Sequence, residues 1–530
     1  MDVDLLIKGA EILDGSGAPT TRGDVAIVGD RIAAVGRAEG ARAKRVVNAM
    51  ERAVAPGFVD IHSHSDYHYF LAPQVESQVM QGVTCEIIGN CGYAAAPIWG
   101  SWLEDRAREY KRIHGLDLDW TTVAGYQERL KNIGVSVNYA VLMGHGTLRG
   151  SAMGGANRPA KPEEISAMVE GARRGMREGA VGLSTGLVYA PGCFADRDEV
   201  AVIARGVREE GGVLTSHMRS EGDGLLEAIE EIIGIAEAAA IPLQISHLKT
   251  MHPRNWGKRD RMFELIEAAQ RRGVEVTCDR YPYTAANTGL AQVMPRWALE
   301  GSKDEQAARL ADPTTRSRIR EEILKETPSA DRWDTIMISE VTLEKNRRYE
   351  GLRVSQAARL ARAEPVDFLL DMLREERNNV DAIYFAMSED NLREILRKPY
   401  VMIGSDAGCR DHYGPLSKGR PHPRGFGTFA RVLGHFVRDE KLFDLPTAIR
   451  KMTWDPCRRL GLQDRGLLRP GFAADVVLFD PTRIKDTATY EEPIKYPEGV
   501  EMVLVNGVAT VEGGQHTGAR AGRMVRRTEA

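Results

Sequence analysis

The middle of this chain repeats one pattern, in which a short apolar run is followed by a longer stretch with the apolar period of a helix. Short apolar runs between turns are typical of strands in a parallel sheet that is covered on both faces. The predicted strands are 137–143, 182–184, 213–216, 243–246, 274–278 and 401–404, and the predicted helices are 163–178, 198–210, 225–239 and 260–272. Strand–helix alternation at this spacing predicts βαβ units, and it favours a (β/α)8 TIM barrel over an open sheet.

Both ends of the chain differ in character from the middle. Residues 1–55 and 461–530 read as short strands joined by glycine and aspartate turns, which are hairpin signals. Because chain ends often lie close together in a domain, we expect both to build one small β-sandwich beside a barrel spanning 56–460. A charged stretch at about 288–400 interrupts the barrel pattern, and we expect it to be a helical insertion near the active site.

Composition restricts the partners of the protein. The 530 residues are 43% hydrophobic and carry a formal net charge of −4, which is typical of globular proteins and makes nucleic acid an unfavoured partner. No apolar run approaches the roughly 20 residues of a membrane span, and the acidic start of the chain does not resemble a signal peptide. Six irregularly spaced cysteines predict reduced thiols and a cytoplasmic protein, and nothing in the sequence indicates an oligomeric state.

Potential metal ligands follow the apolar runs at several points along the chain. The first run ends in His62-Ser-His64, and residues two apart in a strand project to the same face. The other runs are followed by Cys91, His217, His247 and Asp406. In a barrel the carboxyl ends of all strands meet at one mouth, where active sites lie. Six such groups in equivalent positions predict a metal-dependent hydrolase, since a bound metal makes water nucleophilic near neutral pH.

These residues lie in longer motifs that resemble the amidohydrolase superfamily and, within it, the N-acyl-D-amino-acid deacylases (D-aminoacylases). The motifs include Pro56-Gly-Phe-Val-Asp-Ile-His-Ser-His64, Gly89-Asn-Cys-Gly92, Ser216-His-Met-Arg-Ser-Glu221, Ser246-His-Leu-Lys249, Tyr281-Pro-Tyr283 and His422-Pro-Arg-Gly-Phe-Gly-Thr-Phe429. The cysteine motif and the His-Pro-Arg segment are specific to the deacylases. The resemblance extends over nearly the whole chain, and it implies zinc-dependent hydrolysis of an N-acyl-D-amino acid to a carboxylate and a free D-amino acid.

The resemblance also implies a role for each ligand. The tight zinc site would consist of Cys91, His217 and His247. A second, weaker metal position would be lined by His62, His64 and Asp406. Cys91 could bridge the two positions, and its thiolate favours zinc as the metal. Asp406 would act as the catalytic base and acid, because a carboxylate beside the metal can take a proton from the attacking water and return one to the leaving amine.

The same motifs supply candidates for binding the carboxylate of the substrate. Lys249 lies two residues after His247, so an extended segment would aim both side chains at one pocket. Arg424 offers a planar fork that suits a carboxylate. Tyr189 and Tyr283 complete the set of substrate-binding residues that the resemblance implies.

Two other functions fit parts of the pattern. A cyclic-amide hydrolase, related to dihydroorotases or hydantoinases, would share the barrel, but those enzymes commonly carry a modified lysine where this chain has Cys91. A non-catalytic scaffold on the same fold is the other alternative.

Several residues near the motifs receive weaker assignments. Arg296 stands where the family often has an apolar residue, and we expect it to lie in solvent rather than to recognise an acidic side chain. The accepted side chain and acyl group therefore stay open. His145 is either structural or a support for the site, and Arg219 and Glu221 are expected to shape their loop.

Overall fold

The computed structural model describes residues 1–38, 40–326 and 330–527, and a barrel of eight parallel strands forms its centre. The strands are hydrogen-bonded in the order in which they occur along the chain. They are Phe58–Asp60, Val83–Ile88, Asn138–Gly144, Gly182–Gly186, Val213–His217, Leu243–Ile245, Val276–Arg280 and Val401–Ile403. The predicted (β/α)8 TIM barrel is therefore confirmed.

Helices cover the outside of the barrel, and the four predicted from periodicity end within one residue of their expected bounds. These four are Pro162–Arg177, Arg197–Glu209, Leu225–Ala239 and Arg259–Arg271. Asp196 shows how one boundary arises, because its side chain accepts a hydrogen bond from the Glu199 N–H at 2.8 Å and caps the helix. The chain also contains the helices Glu76–Val79, Gly100–His114, Val123–Ile133, His145–Met153, Glu389–Arg397, Arg424–Arg431, Leu445–Met452 and Trp454–Leu460. In the described ranges, no helix combines the length and apolar character needed to cross a membrane.

The barrel closes between its last and first strands at the segment that carries His62 and His64. The Asp406 N–H donates to the His62 carbonyl at 2.7 Å, and the His64 N–H donates to the Ala407 carbonyl at 3.0 Å. Ser63 and Ala407 form the parallel bridge at this seam. Closure of the barrel thus sets the backbone positions of three predicted metal ligands relative to one another.

Strands from both ends of the chain join in one β-sheet. Hydrogen bonds join its nine strands in a single continuous sheet, in which Ala53–Pro56 pairs antiparallel with Val476–Phe479. The other strands are Asp2–Ile12, Thr21–Val28, Arg31–Gly36, Arg42–Asn48, Val500–Val505, Val508–Glu512 and Gln515–His516. Apolar side chains from both ends, including Ile7 and Leu504, pack in one cluster, so burial of apolar surface holds the two ends together.

The insertion between the last two barrel strands contains helices, as predicted, and also a small sheet that the sequence analysis did not predict. It contains a three-stranded antiparallel sheet of Ala285–Gly289, Ile336–Val341 and Val380–Phe385, with the last of these in the centre. Its helices are Lys303–Ala311, Pro313–Glu326, Val354–Ala361 and Pro365–Glu375. Charged residues flank Ile336–Val341 and Val380–Phe385 and obscure their short apolar patterns. The insertion buries an apolar cluster of its own, so it is packed as a unit on the barrel.

The seam predicts a specific sensitivity to added volume. Gly404 follows the eighth strand, and a Cβ atom there would lie 2.7 Å from the His62 Cβ. We expect Gly404→Ala to lower the free energy of unfolding by about 1–3 kcal/mol, because overpacking forces neighbouring side chains out of their rotamers. Urea denaturation measures the change. Gly257→Ala is the matched control, since no atom of the described part of the chain lies within 4 Å of an added Cβ at that position. Equal stability of the two variants would contradict a tightly packed seam.

Candidate metal centre and active site

The barrel mouth brings all six predicted metal ligands together. Their ligand atoms form two groups, and within each group the atoms lie no more than 4.8 Å apart. One group consists of His62, His64, Cys91 and Asp406, and the other consists of Cys91, His217 and His247. Cys91 belongs to both groups, which is the geometry that a bridging ligand requires.

The close packing of the backbone around Cys91 explains the two glycines near it. A Cβ atom at Gly89 would lie 2.0 Å from the Leu142 carbonyl oxygen, and one at Gly92 would lie 2.6 Å from the Gly186 nitrogen. Any larger residue would displace backbone on the neighbouring strands. The Gly-Asn-Cys-Gly motif therefore lets the loop after the second strand lie directly on the mouth of the barrel.

The surroundings of the Cys91 sulfur favour a thiolate. Sγ lies 3.3 Å from His62 Nε2 and 3.5 Å from His247 Nε2. Burial raises the pKa of the Cys91 thiol, but the imidazoles of His62, His247 and His217 outweigh burial and hold the pKa well below its usual value. Since the thiolate is the form that binds metal, this cysteine is prepared for coordination.

Three of the candidate ligands have a backbone conformation that is uncommon for residues other than glycine. The φ angle is +54° at Cys91, +38° at His247 and +53° at Asp406. Each residue follows the end of a barrel strand by two or three positions. Such conformations cost on the order of 1–3 kcal/mol each and concentrate at functional sites. The surrounding fold therefore holds the ligands in place against a local conformational cost.

Asp279, which the sequence analysis did not single out, orients His62. Its Oδ1 lies 3.1 Å from His62 Nδ1 and accepts a hydrogen bond from the His247 N–H at 2.7 Å. The Gln244 amide donates to the other carboxylate oxygen at 2.8 Å. His62 consequently turns Nε2 toward the ligand cluster, as carboxylates commonly arrange for metal-binding imidazoles. The signal in the sequence was an acidic residue directly after the predicted strand 274–278.

Glu221 lies at the site as well, although the sequence analysis expected it only to shape its loop. Its Oε1 lies 2.8 Å from His247 Nδ1 and 2.6 Å from Lys249 Nζ. Its Oε2 lies 3.6 Å from His217 Nε2. The carboxylate therefore faces two candidate ligands and one candidate substrate-binding cation at once. Its position four residues after His217 was the available signal.

Asp406 lies between two imidazoles and a buried arginine. Its Oδ1 is 3.0 Å from His64 Nε2 and 3.3 Å from His62 Nε2, and its Oδ2 is 2.8 Å from Arg424 Nη1. Burial raises the pKa of this carboxyl, but Arg424, His247 and His62 hold it well below its usual value. The anionic carboxylate can therefore serve as a ligand or accept a proton.

A buried nitrogen without a partner marks where a metal would fit. His217 Nδ1 has no hydrogen-bond partner among the described residues, whereas Nε2 of the same ring faces Glu221. An unsatisfied buried polar atom is costly, and coordination through Nδ1 removes that cost. Together with the Cys91 thiolate and His247 Nε2, it provides one sulfur and two nitrogen donors, a set that suits zinc.

A cavity of about 1320 Å³ lies between the barrel mouth and the insertion. Lys249, Arg424 and Tyr189, three of the four residues expected to bind substrate, line this cavity. The Tyr189 hydroxyl lies 3.0 Å from the Thr288 hydroxyl of the insertion. The structure thus brings these three residues to the same space as the candidate ligands.

Tyr283, the fourth residue, does not line the cavity. Its hydroxyl donates to Asp486 at 3.5 Å, and its N–H donates to the Tyr281 carbonyl at 3.0 Å, which turns the chain. Tyr281 is the phenol of this motif that lines the cavity. Its buried hydroxyl has no hydrogen-bond partner in the described part of the chain, and its ring centroid lies 4.6 Å from the Arg424 guanidinium. The expectation for Tyr283 is therefore corrected in favour of Tyr281.

Three residues with weaker assignments lie outside the ligand cluster. Arg296 is exposed, and its guanidinium donates to the Arg219 carbonyl at 3.4 Å. The Arg219 guanidinium lies 2.9 Å from the Glu231 carboxylate and shapes its loop. His145 is buried with its Nε2 2.9 Å from Glu199, which is a structural contact.

Comparisons with known proteins agree with this geometry. Residues 45–511 match the amidohydrolase family model. A D-aminoacylase from Alcaligenes xylosoxydans xylosoxydans is 36% identical over 99% of this chain and 98% of its own. An N-acyl-D-glutamate deacylase from the same organism is 35% identical over 99% of this chain and 97% of its own. This chain belongs to the N-acyl-D-amino-acid deacylases of the amidohydrolase family.

Solved structures separate the deacylases from the cyclic-amide alternative. An N-acyl-D-glutamate deacylase from Bordetella bronchiseptica, complexed with zinc and a phosphonate mimic of the tetrahedral intermediate, has a TM-score of 0.84 at 33% identity. The match covers 99% of this chain and 100% of that one. A dihydropyrimidinase from Brevibacillus agri NCHU1002 has a TM-score of 0.57 at 15% identity, which shows a common fold alone. The deacylase relationship is therefore favoured.

The lowered pKa of Cys91 predicts selective alkylation of the metal-free deacylase. Burial raises the pKa of each of the other five cysteines, all of which lie in the described ranges. At pH 6 we expect iodoacetamide to modify Cys91 first, because the thiolate is the reactive form. Peptide mass spectrometry after chelation identifies the modified site, and Cys91→Ser is the control. Preferential labelling of another cysteine, or none at Cys91, would contradict the assignment.

Proposed function

We propose that this protein hydrolyses the amide bond of N-acyl-D-amino acids to a carboxylate and a free D-amino acid, with zinc as its metal. The observation that carries the proposal is the meeting of Cys91 with His217 and His247 at the barrel mouth. The chain that holds them is 36% identical to a D-aminoacylase over nearly its whole length. A linear amide is the substrate class that fits this relationship.

The proposed metal ligands divide into two sets. The tight zinc site consists of Cys91, His217 and His247. A second, weaker position that shares Cys91 is lined by His62, His64 and Asp406. When bound, zinc supplies Lewis-acid polarisation of the amide carbonyl and lowers the pKa of a water molecule. Asp279 holds His62 in orientation through the 3.1 Å contact with its Nδ1.

Asp406 carries out the proposed proton transfers. Its carboxylate takes a proton from the attacking water and then delivers one to the nitrogen of the departing D-amino acid. The low pKa of Asp406 keeps it ready to accept the first proton. Arg424, at 2.8 Å from Oδ2, keeps the carboxylate in position between the two transfers.

Cations and hydroxyls around the cavity bind the substrate carboxylate in this proposal. Arg424 offers paired N–H donors, and Lys249 offers a compact charge. The Tyr281 hydroxyl gains the partner that it lacks among the described residues. Tyr189 closes the same part of the cavity, where its ring centroid lies 4.8 Å from that of His217.

We also infer the cellular setting and the domain boundaries. All six cysteines are buried free thiols, which suits a reducing compartment such as the cytoplasm. The proposed domains are a barrel at 56–460 and a terminal β domain composed of 1–55 and 461–530.

A substrate panel tests the proposed function. Purified protein supplied with zinc is assayed on N-acetyl-D-amino acids, their L-enantiomers, hydantoins and dihydroorotate. We expect turnover of the N-acetyl-D-amino acids. Turnover confined to the cyclic amides would replace the proposal with the cyclic-amide alternative, and absence of all turnover in zinc-loaded protein would favour the scaffold.

Asp406→Asn tests the proton-transfer role. We expect kcat to fall about 10²- to 10⁴-fold, the range that general acid–base groups contribute. Zinc at the tight site should remain bound, since Cys91, His217 and His247 are unchanged. Metal analysis beside steady-state kinetics checks both points. Retained turnover near the parent rate would exclude Asp406 as the proton carrier.

Tyr281→Phe and Tyr283→Phe form a matched pair that tests the substrate contact. Loss of a hydrogen bond to a charged group costs about 1.5–3 kcal/mol, so Tyr281→Phe should raise KM about tenfold or more. Tyr283→Phe should leave KM close to that of the parent, because its hydroxyl faces Asp486. The reverse pattern would return the substrate contact to Tyr283.

A further inference from the structure

Glu221 connects three groups that the proposed function keeps separate. Its side chain is only 11% exposed, and one carboxylate faces His247, Lys249 and His217. The loop that carries it is fixed by a hydrogen bond from the Met251 N–H to the Glu221 carbonyl at 2.7 Å. The loops after the fifth and sixth barrel strands are therefore joined at this residue.

The two imidazoles present different nitrogens to Glu221. His247 turns Nδ1 toward it at 2.8 Å and leaves Nε2 near the Cys91 sulfur. His217 turns Nε2 toward it at 3.6 Å and leaves the buried Nδ1 without a partner in the described ranges. In both rings the nitrogen away from Glu221 is the one available to a metal. A carboxylate behind an imidazole fixes its tautomer and ring orientation and raises its basicity as a ligand.

Lys249 shares the same carboxylate oxygen. Its Nζ lies 2.6 Å from Glu221 Oε1 and 2.7 Å from His247 Nδ1. Lys249 is nearly fully buried, and a buried ammonium requires a paired charge. Glu221 supplies that charge and holds the ammonium at the edge of the cavity that Lys249 lines.

We propose that Glu221 is a positioning residue that orients both histidines of the tight metal site and holds Lys249 for the substrate carboxylate. This inference rests on the proposed function for its substrate part, whereas its metal part stands on the contacts of the protein alone. One side chain thereby couples the geometry of the metal to the geometry of substrate binding. Removing the charge of Glu221 should weaken both zinc binding and substrate binding, without removing any proposed metal ligand.

Glu221→Gln tests the inference because it keeps the size of the side chain and removes its charge. Zinc affinity is measured by competition with a chromophoric chelator, on protein without substrate. We expect the zinc dissociation constant to rise about 10- to 100-fold, the usual effect of losing such a partner. The visible absorption of Co²⁺-substituted protein should change, and KM for an N-acetyl-D-amino acid should rise. Glu221→Asp, which retains the charge, should show smaller changes in all three readouts.

Glu231→Gln is the matched control. Glu231 is another partly buried carboxylate near this loop, but it pairs with Arg219 and contacts no histidine of the site. We expect the zinc affinity and the cobalt spectrum of the Glu231→Gln protein to equal those of the parent. A Glu221→Gln protein that binds zinc within twofold of the parent, with an unchanged cobalt spectrum, would overturn the proposal.

The metal and substrate measurements separate this inference from the proposed function. Glu221→Gln could weaken zinc binding while the parent protein hydrolyses no N-acyl-D-amino acid. That result would refute the proposed function and leave the metal part of the inference standing. Should Glu221→Gln fail to fold, as judged by circular dichroism, Lys249→Met with Glu221 intact replaces it. We expect that variant to raise KM while zinc stays tightly bound, and an unchanged KM would overturn the coupling to substrate.

Discussion

Two backbone hydrogen bonds close the barrel of this deacylase, and they lie within the cluster of candidate metal ligands. The Asp406 N–H donates to the His62 carbonyl, and the His64 N–H donates to the Ala407 carbonyl. The last strand cannot meet the first without bringing these three side chains to one place. Sites anchored on strands are held more precisely than sites on free loops. The hydrogen bonds that close the barrel therefore also fix the relative positions of His62, His64 and Asp406.

Two buried carboxyl groups, Asp60 and Glu86, accept hydrogen bonds from the segments that close the barrel. Asp60 accepts hydrogen bonds from the Ser405 N–H and hydroxyl at 2.8 and 2.5 Å, and Glu86 accepts from the hydroxyls of Ser63 and Ser65 at 2.5 and 2.7 Å. Burial raises the pKa of Asp60 to about 6 and that of Glu86 to about 7 in spite of these bonds. The bonds offset the cost of burying the groups rather than adding large net stability. Their effect is specificity, because a shifted register would leave buried polar groups unpaired.

The insertion contacts the residues proposed to bind substrate, whereas the candidate metal ligands lie on the barrel. Its first strand lies beside the cavity, where the Asn287 carbonyl accepts a hydrogen bond from Arg424 at 3.3 Å and the Thr288 hydroxyl contacts Tyr189. The Ala285 carbonyl lies 2.9 Å from His422 Nε2. The residues proposed for chemistry come from the barrel, while their contacts to the insertion set the wall of the cavity. In barrels, such loop regions can vary while the strand ends that carry the site stay in place.

The sequence was sufficient to predict the barrel and the convergence of six candidate ligands at its mouth, because strand periodicity and barrel closure leave side chains at a strand end little freedom of position. Asp279 was not predicted to orient His62, since 217 positions separate them along the chain and no local pattern links them. The limit is sharpest just past a strand. In an extended strand, residues two apart such as Tyr281 and Tyr283 project to the same face. Here the hydrogen bond from the Tyr283 N–H to the Tyr281 carbonyl forms a turn, and the two phenols point in different directions.

Lys249 reaches the expected pocket beside His247, but not through an extended segment. His247 has a φ of +38°, and the Lys249 ammonium lies 2.7 Å from the His247 ring nitrogen and 2.6 Å from the Glu221 carboxylate. The position of a residue at a strand end follows from local periodicity. The direction of a side chain one or two residues later depends on a turn that the surrounding packing stabilises. The carboxylates of Asp279 and Glu221, which contact candidate metal ligands, belong to that packing.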